Sequence, residues 1–129
     1  MATGIIVAEP EAVQSSPPFG RPNVATTTVI ALKGASGRTY DFEVYKWGTL
    51  FNPIGAVYTV LRRDPDGYAV LYIGETGNLK DRPANHHQTD CFDSHRKSHV
   101  GVHLESSEQR RRAIESDLIA NYTPPCNEQ

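Results

Sequence analysis

At 129 residues, with 38% hydrophobic and 22% charged residues, the chain is sized and composed as one globular domain rather than a disordered segment. No apolar run is long enough to span a bilayer, and the N-terminus lacks the basic start and apolar stretch of a secretory signal, so a cytoplasmic protein with no membrane association is expected. The formal net charge is −2, and from Phe51 to the end nine Lys/Arg face eleven Asp/Glu, which excludes binding driven by a general basic excess.

Residues 1–27 carry Pro10, Pro17, Pro18 and Pro22 among small polar residues without periodicity, and read as a disordered arm. Residues 28–53 read as a β-hairpin extension. Thr28 to Lys33 is β-branched and apolar, Gly34 to Gly37 supplies a turn, and Tyr40, Phe42 and Val44 alternate with polar neighbours. A second hairpin runs from Ala56-Val57-Tyr58-Thr59-Val60-Leu61 through the turn Asp64-Pro65-Asp66-Gly67 to the strand Tyr68 to Ile73. After Gly74, either Thr76 or Asn78 suits the cap of a helix starting near Leu79, with Pro83 about one turn inside it. A third strand is expected over 98–105. Ser106 and Gln109 then form a capping box for a helix in which Ala113, Ile114, Leu118 and Tyr122 recur at helical spacing. Pro124-Pro125 ends it. Residues 54–129 thus form an α+β unit, a small antiparallel sheet of three strands with flanking helices.

Phosphodiester hydrolysis needs a water that loses its proton, a group that neutralises the phosphorane charge and a route for the leaving oxygen. Residue types for each role are spread along this unit. Tyr58 and Tyr72 lie on paired strands, Arg82 and His86 are spaced to share a helical face, Glu115 sits on the last helix, and Asn127 follows its proline stop.

The pattern resembles the GIY-YIG nucleases, a family that includes the nuclease domain of the bacterial excinuclease C subunit. Ala56-Val57-Tyr58 takes the place of the first motif, and Tyr72-Ile73-Gly74 is the second, with Gly74 as its glycine. Arg82 with His86 beyond it, Glu115, and Asn127 after Pro124-Pro125-Cys126 follow in the family's order, so the resemblance covers roughly residues 54–129. It departs from the pattern at Ala56, where the family has glycine, and at Glu75, where some relatives carry lysine.

The resemblance implies a metal-dependent endonuclease acting on nucleic acid, with DNA expected ahead of RNA. It also implies one divalent cation, Mg²⁺ or Mn²⁺, on Glu115, with Arg82 on the phosphate. Tyr58, with His86 as proton partner, would activate water, Tyr72 would orient water or phosphate, and Asn127 would hold the site's hydrogen bonds. Lys80, His95, Arg96 and Lys97 are candidate phosphate contacts, and the small basic surface calls for a homodimer or a targeting partner.

Two other readings compete. One is a nucleic-acid-binding module on the same fold without turnover. The other is a zinc-stabilised interaction domain using the run His87, Cys91, His95, His99 and His103 with Cys126, although that run crosses an expected loop and strand. Without an export signal, Cys91 and Cys126 read as free thiols. Arg110-Arg111-Arg112 is either a second basic patch or the solvated face of the last helix.

Overall fold

The computed structural model describes residues 6–8, 12–14, 26–82 and 88–127. Its strands are β1 (Ile6–Ala8), β2 (Ala12–Gln14), β3 (Thr26–Lys33), β4 (Thr39–Lys46), β5 (Ala56–Asp64), β6 (Gly67–Thr76) and β7 (His99–Leu104). Its helices are α1 (Thr89–Ser94) and α2 (Glu108–Tyr122), with single 3-10 turns at Leu79–Asp81 and Pro125–Asn127. All strands join one antiparallel sheet in the order β1-β6-β5-β7-β4-β3-β2.

The α+β class therefore holds, but the sheet is larger than three strands: β3 to β7 make five long strands, and β1 and β2 add short edges. The cause is the first hairpin. Its strand β4 pairs with β7 over Glu43–Val102 to Lys46–His99, satisfying an edge of polar backbone groups that the smaller sheet would leave open. Part of the expected disordered arm is strand: β1 pairs with β6, β2 pairs with β3, and β3 begins at Thr26. The rest of that arm lies outside the described residues.

Asp117 closes the hairpin turn between β3 and β4. Its carboxylate accepts from the Ser36 amide at 2.8 Å, the Ser36 hydroxyl at 2.6 Å and the Tyr40 hydroxyl at 2.9 Å. A side chain at Gly34 would collide with that carboxylate, its Cβ falling 2.1 Å from Oδ2. The Ser36 hydrogen bonds hold the Asp117 carboxyl below its ordinary value.

Both faces of the sheet are covered. On one, Ile30, Leu32, Phe42, Val57, Leu61, Tyr68, Val70 and Ile73 pack under Leu118 and Tyr122 of α2. On the other, Ala56, Tyr58, Val60, Leu71, Val100 and Val102 pack against Leu79, Phe92 of α1 and Cys126. Period-2 alternation makes this double burial natural, because each strand offers apolar residues to both sides. The histidines of β7 are part of it: His99 packs edge-on against Tyr68, and His103 against Phe42 and Tyr40.

The cap of α2 is Ser107, not Ser106; its hydroxyl oxygen accepts from the Arg110 amide at 3.3 Å. Thr123 ends the helix in a left-handed conformation, with φ of 41°, before the two prolines. The helix expected from Leu79 is a single turn. Asn78 caps it by accepting from the Lys80 amide at 3.0 Å, and Arg82 is already extended, at φ −129° and ψ 156°. Pro83 explains this, since the residue before a proline is driven out of the helical region. Arg82 thus does not continue a helix, and His86 lies outside the described residues.

Candidate active site

Tyr58 stands directly across from Gly74 in the β5–β6 register, and Tyr72 lies two residues back on the same face of β6. The ring centroids of the two tyrosines are 6.0 Å apart at an interplanar angle of 35°. Gly74 permits this approach. A Cβ there would lie 2.7 Å from Cε2 of Tyr72 and 2.9 Å from both Cζ and the hydroxyl of Tyr58. The two phenols share a hydrogen bond.

Their environments differ. Tyr58 is buried, and burial first, then the neighbouring Tyr72 oxygen, push its phenol far above the ordinary value. Tyr72 is half-buried, and its smaller upward displacement comes from burial and then from the Glu115 carboxylate. Arg82 acts on both phenols in the opposite sense. These surroundings favour the protonated form of the Tyr58 phenol.

Glu115 reaches this corner from α2. Burial, then the carboxylate of Glu75, raise its carboxyl above the ordinary value, with Arg112 partly offsetting them. Two phenols thus sit where one guanidinium and one half-buried carboxylate each act on both of them electrostatically.

Glu75 does not stand as an open carboxylate. Arg111 Nε donates to it at 2.8 Å, and Arg112 lies 3.8 Å from its other oxygen. Arg111 also donates to the carbonyls of Glu105 and Ser106, at 3.1 and 2.9 Å. It is a buried charge with three acceptors, 6% exposed. Neither reading of the arginine run describes it. The sequence does hold a signal, because Arg111 falls on the helical stripe of Ile114, Leu118 and Tyr122, the face that enters the core.

Asn127 grips the outer edge of β6. Its side-chain oxygen accepts from the Ile73 amide and its nitrogen donates to the Ile73 carbonyl, both at 2.9 Å. It supplies a strand-like partner where β1 no longer covers that edge, one residue from Tyr72.

The candidate phosphate contacts are not one patch. Lys80 is exposed on the 3-10 turn, while Lys97 pairs with Asp93 and lies 4.9 Å from the Trp47 ring centre. Arg96, at φ 59°, lines an open cleft with Arg62, Arg63, Asp64 and Ser98. His95 turns toward cysteines.

Cys91 and Cys126 are joined in a disulfide, which corrects the expectation of free thiols. Both α1 and the C-terminal turn pack on the same sheet face, and this brings their Cα atoms to 5.8 Å, inside the span a disulfide needs. His95 belongs to the same group: one ligand atom from each of Cys91, His95 and Cys126 lies within 4.8 Å of the other two. This finding overturns the expected Mg²⁺ or Mn²⁺ cofactor. The metal-ligand atoms that converge among the described residues are sulfur and imidazole nitrogen, a zinc-type set, whereas those hard cations take oxygen ligands.

Among the described residues, no helix is long and apolar enough to cross a membrane. Comparison with protein-family models, with curated proteins and with solved structures found no match for this chain.

Proposed function

We propose that the chain is a phosphodiester-cleaving endonuclease of the GIY-YIG kind, acting on nucleic acid, with DNA ahead of RNA. The observation that carries this reading is the electrostatic grouping of Tyr58, Tyr72, Arg82 and Glu115, residues far apart in sequence that supply complementary roles in one reaction. Arg82 binds the scissile phosphate through its forked N–H groups. Glu115, its carboxyl raised by burial and by Glu75 and so made more basic, accepts the proton of the attacking water.

Tyr58, its phenol pushed up, keeps its proton, and its hydrogen bond with Tyr72 aims the Tyr72 hydroxyl at the phosphate. Tyr72, protonated near neutral pH as phenols ordinarily are, donates to the leaving oxygen as the P–O bond breaks. Asn127 and the Arg111–Glu75 pair are positioning residues, one fixing β6 and the other fixing α2 against it. The net charge of −2 sets the binding term low, so a homodimer or a targeting partner supplies the affinity that the surface lacks.

The test is cleavage of end-labelled single- and double-stranded DNA and of RNA by the full chain, across chelator and a panel of added divalent cations, with Arg82→Ala alongside. Cutting that falls by a factor of about a hundred or more in Arg82→Ala supports the reading. Folded protein that binds these substrates but cuts none of them under any condition favours the binding module. A fully active Arg82→Ala protein removes Arg82 from the site.

A further inference from the structure

The disulfide group has a geometry that a structural cross-link does not require. Cys91 and His95 are four residues apart, at the two ends of one helical turn, which places both on one side of α1. Cys91 Sγ lies 3.8 Å from His95 Nδ1. Around a tetrahedral zinc ion, with Zn–S near 2.3 Å and Zn–N near 2.0 Å, neighbouring ligand atoms sit roughly 3.5–3.8 Å apart. Cys126, fully buried, comes from the C-terminal 3-10 turn to complete the triangle.

We propose that Cys91, His95 and Cys126 form a reduction-gated binding site for a zinc-class ion: a disulfide beside a hydrogen-bonded imidazole when oxidised, and a two-thiolate, one-imidazole metal site when reduced. A reductant of the thiol or phosphine class delivers two electrons to the S–S bond, which opens as two protons are taken up to give two thiols. The reductant is left as its own disulfide or, with water, as the phosphine oxide. The incoming ion then displaces two thiol protons to solvent and binds two thiolates.

His95 Nδ1 supplies the third ligand, giving up its present contact with the Cys91 carbonyl at 3.0 Å. Three protein ligands leave the fourth position for water. Either state ties α1 to the residue beside Asn127, and so keeps the Asn127 clamp on Ile73 in place. Reduction without metal releases that tie. The proposal does not depend on the nuclease reading.

The experiment uses the full chain, oxidised or treated with a phosphine reductant, and Co²⁺ as a spectroscopic stand-in for zinc. The reduced protein is expected to bind one Co²⁺ with a thiolate-to-cobalt charge-transfer band in the near ultraviolet, which Zn²⁺ then bleaches, while the oxidised protein shows no such band. His95→Ala, which retains the disulfide and so can be purified folded, should lose roughly tenfold or more in affinity after reduction. If reduction unfolds the metal-free chain, Zn²⁺ must restore its far-ultraviolet circular dichroism.

Amide exchange gives a second readout: Ile73 should exchange slowly in the oxidised and zinc-loaded forms and faster in the reduced, metal-free form. The absence of a charge-transfer band in the reduced protein overturns the proposal. So does equal binding by the oxidised protein, unchanged affinity in His95→Ala, or a reduced chain that zinc fails to refold.

Discussion

Gly74 shows how a residue with no side chain can define a site. The space its Cβ would fill is occupied by the rings of Tyr58 and Tyr72, so Gly74→Ala must push at least one phenol away. Overpacking of this kind costs about 1–3 kcal/mol. The expected outcome is a lowered Tm together with loss of the Tyr58–Tyr72 hydrogen bond, seen as a shift in tyrosine ultraviolet absorption on alkaline titration. An unchanged titration would mean that the rings are not held by this contact. Arg111 makes the complementary case for charge. Arg111→Ala leaves the largely buried Glu75 carboxylate with only the longer Arg112 contact, a loss of about 3 kcal/mol. Adding Glu75→Gln should recover part of that loss in denaturant unfolding. If the double variant is no more stable than Arg111→Ala, the ion pair is not what Arg111 contributes.

At the scale of elements, the clamp on β6 is the most exposed to test. Asn127→Ala leaves the Ile73 amide and carbonyl without the partner they now have, and it should cost about 1–3 kcal/mol in denaturant unfolding. A stability equal to wild type would show that water replaces the clamp without loss.

Much of the element order was legible in the sequence because its signals are local. The Asp64-Pro65-Asp66-Gly67 turn, the alternation in β4 to β7 and the proline stop after α2 each depend on near neighbours. The features that were not legible depend on distant partners. The pairing of β4 with β7 joins residues more than fifty positions apart, and nothing in either strand names the other. The element at Leu79–Asp81 is shorter than its cap suggests: Asn78 does start a helical turn, and Pro83 then forces Arg82 into an extended conformation.

For the whole molecule, the types and order of the candidate residues are read from the sequence, whereas their surroundings depend on the fold. Burial sets much of this: it pushes the Tyr58 phenol up and turns Arg111 into an internal strut, while packing brings Cys91, His95 and Cys126 together across two elements. The same burial acts on Glu115. A carboxyl whose folded value is raised contributes stability that is fully present below its unfolded value, near 4.5, and is lost as pH rises through the folded value. An ionised Glu115 therefore costs stability in the folded chain.

Cleavage that needs this carboxylate should decline as pH falls through its raised value, giving an acid limb above the ordinary carboxylate range. The most direct measurement is a parallel one on Glu115→Gln, with nucleic-acid cleavage and thermal unfolding compared with wild type at neutral pH. The account predicts a variant that no longer cuts and melts at the same or a higher temperature. A variant that cuts as wild type does would contradict it, because the half-buried carboxylate would then have no part in the reaction.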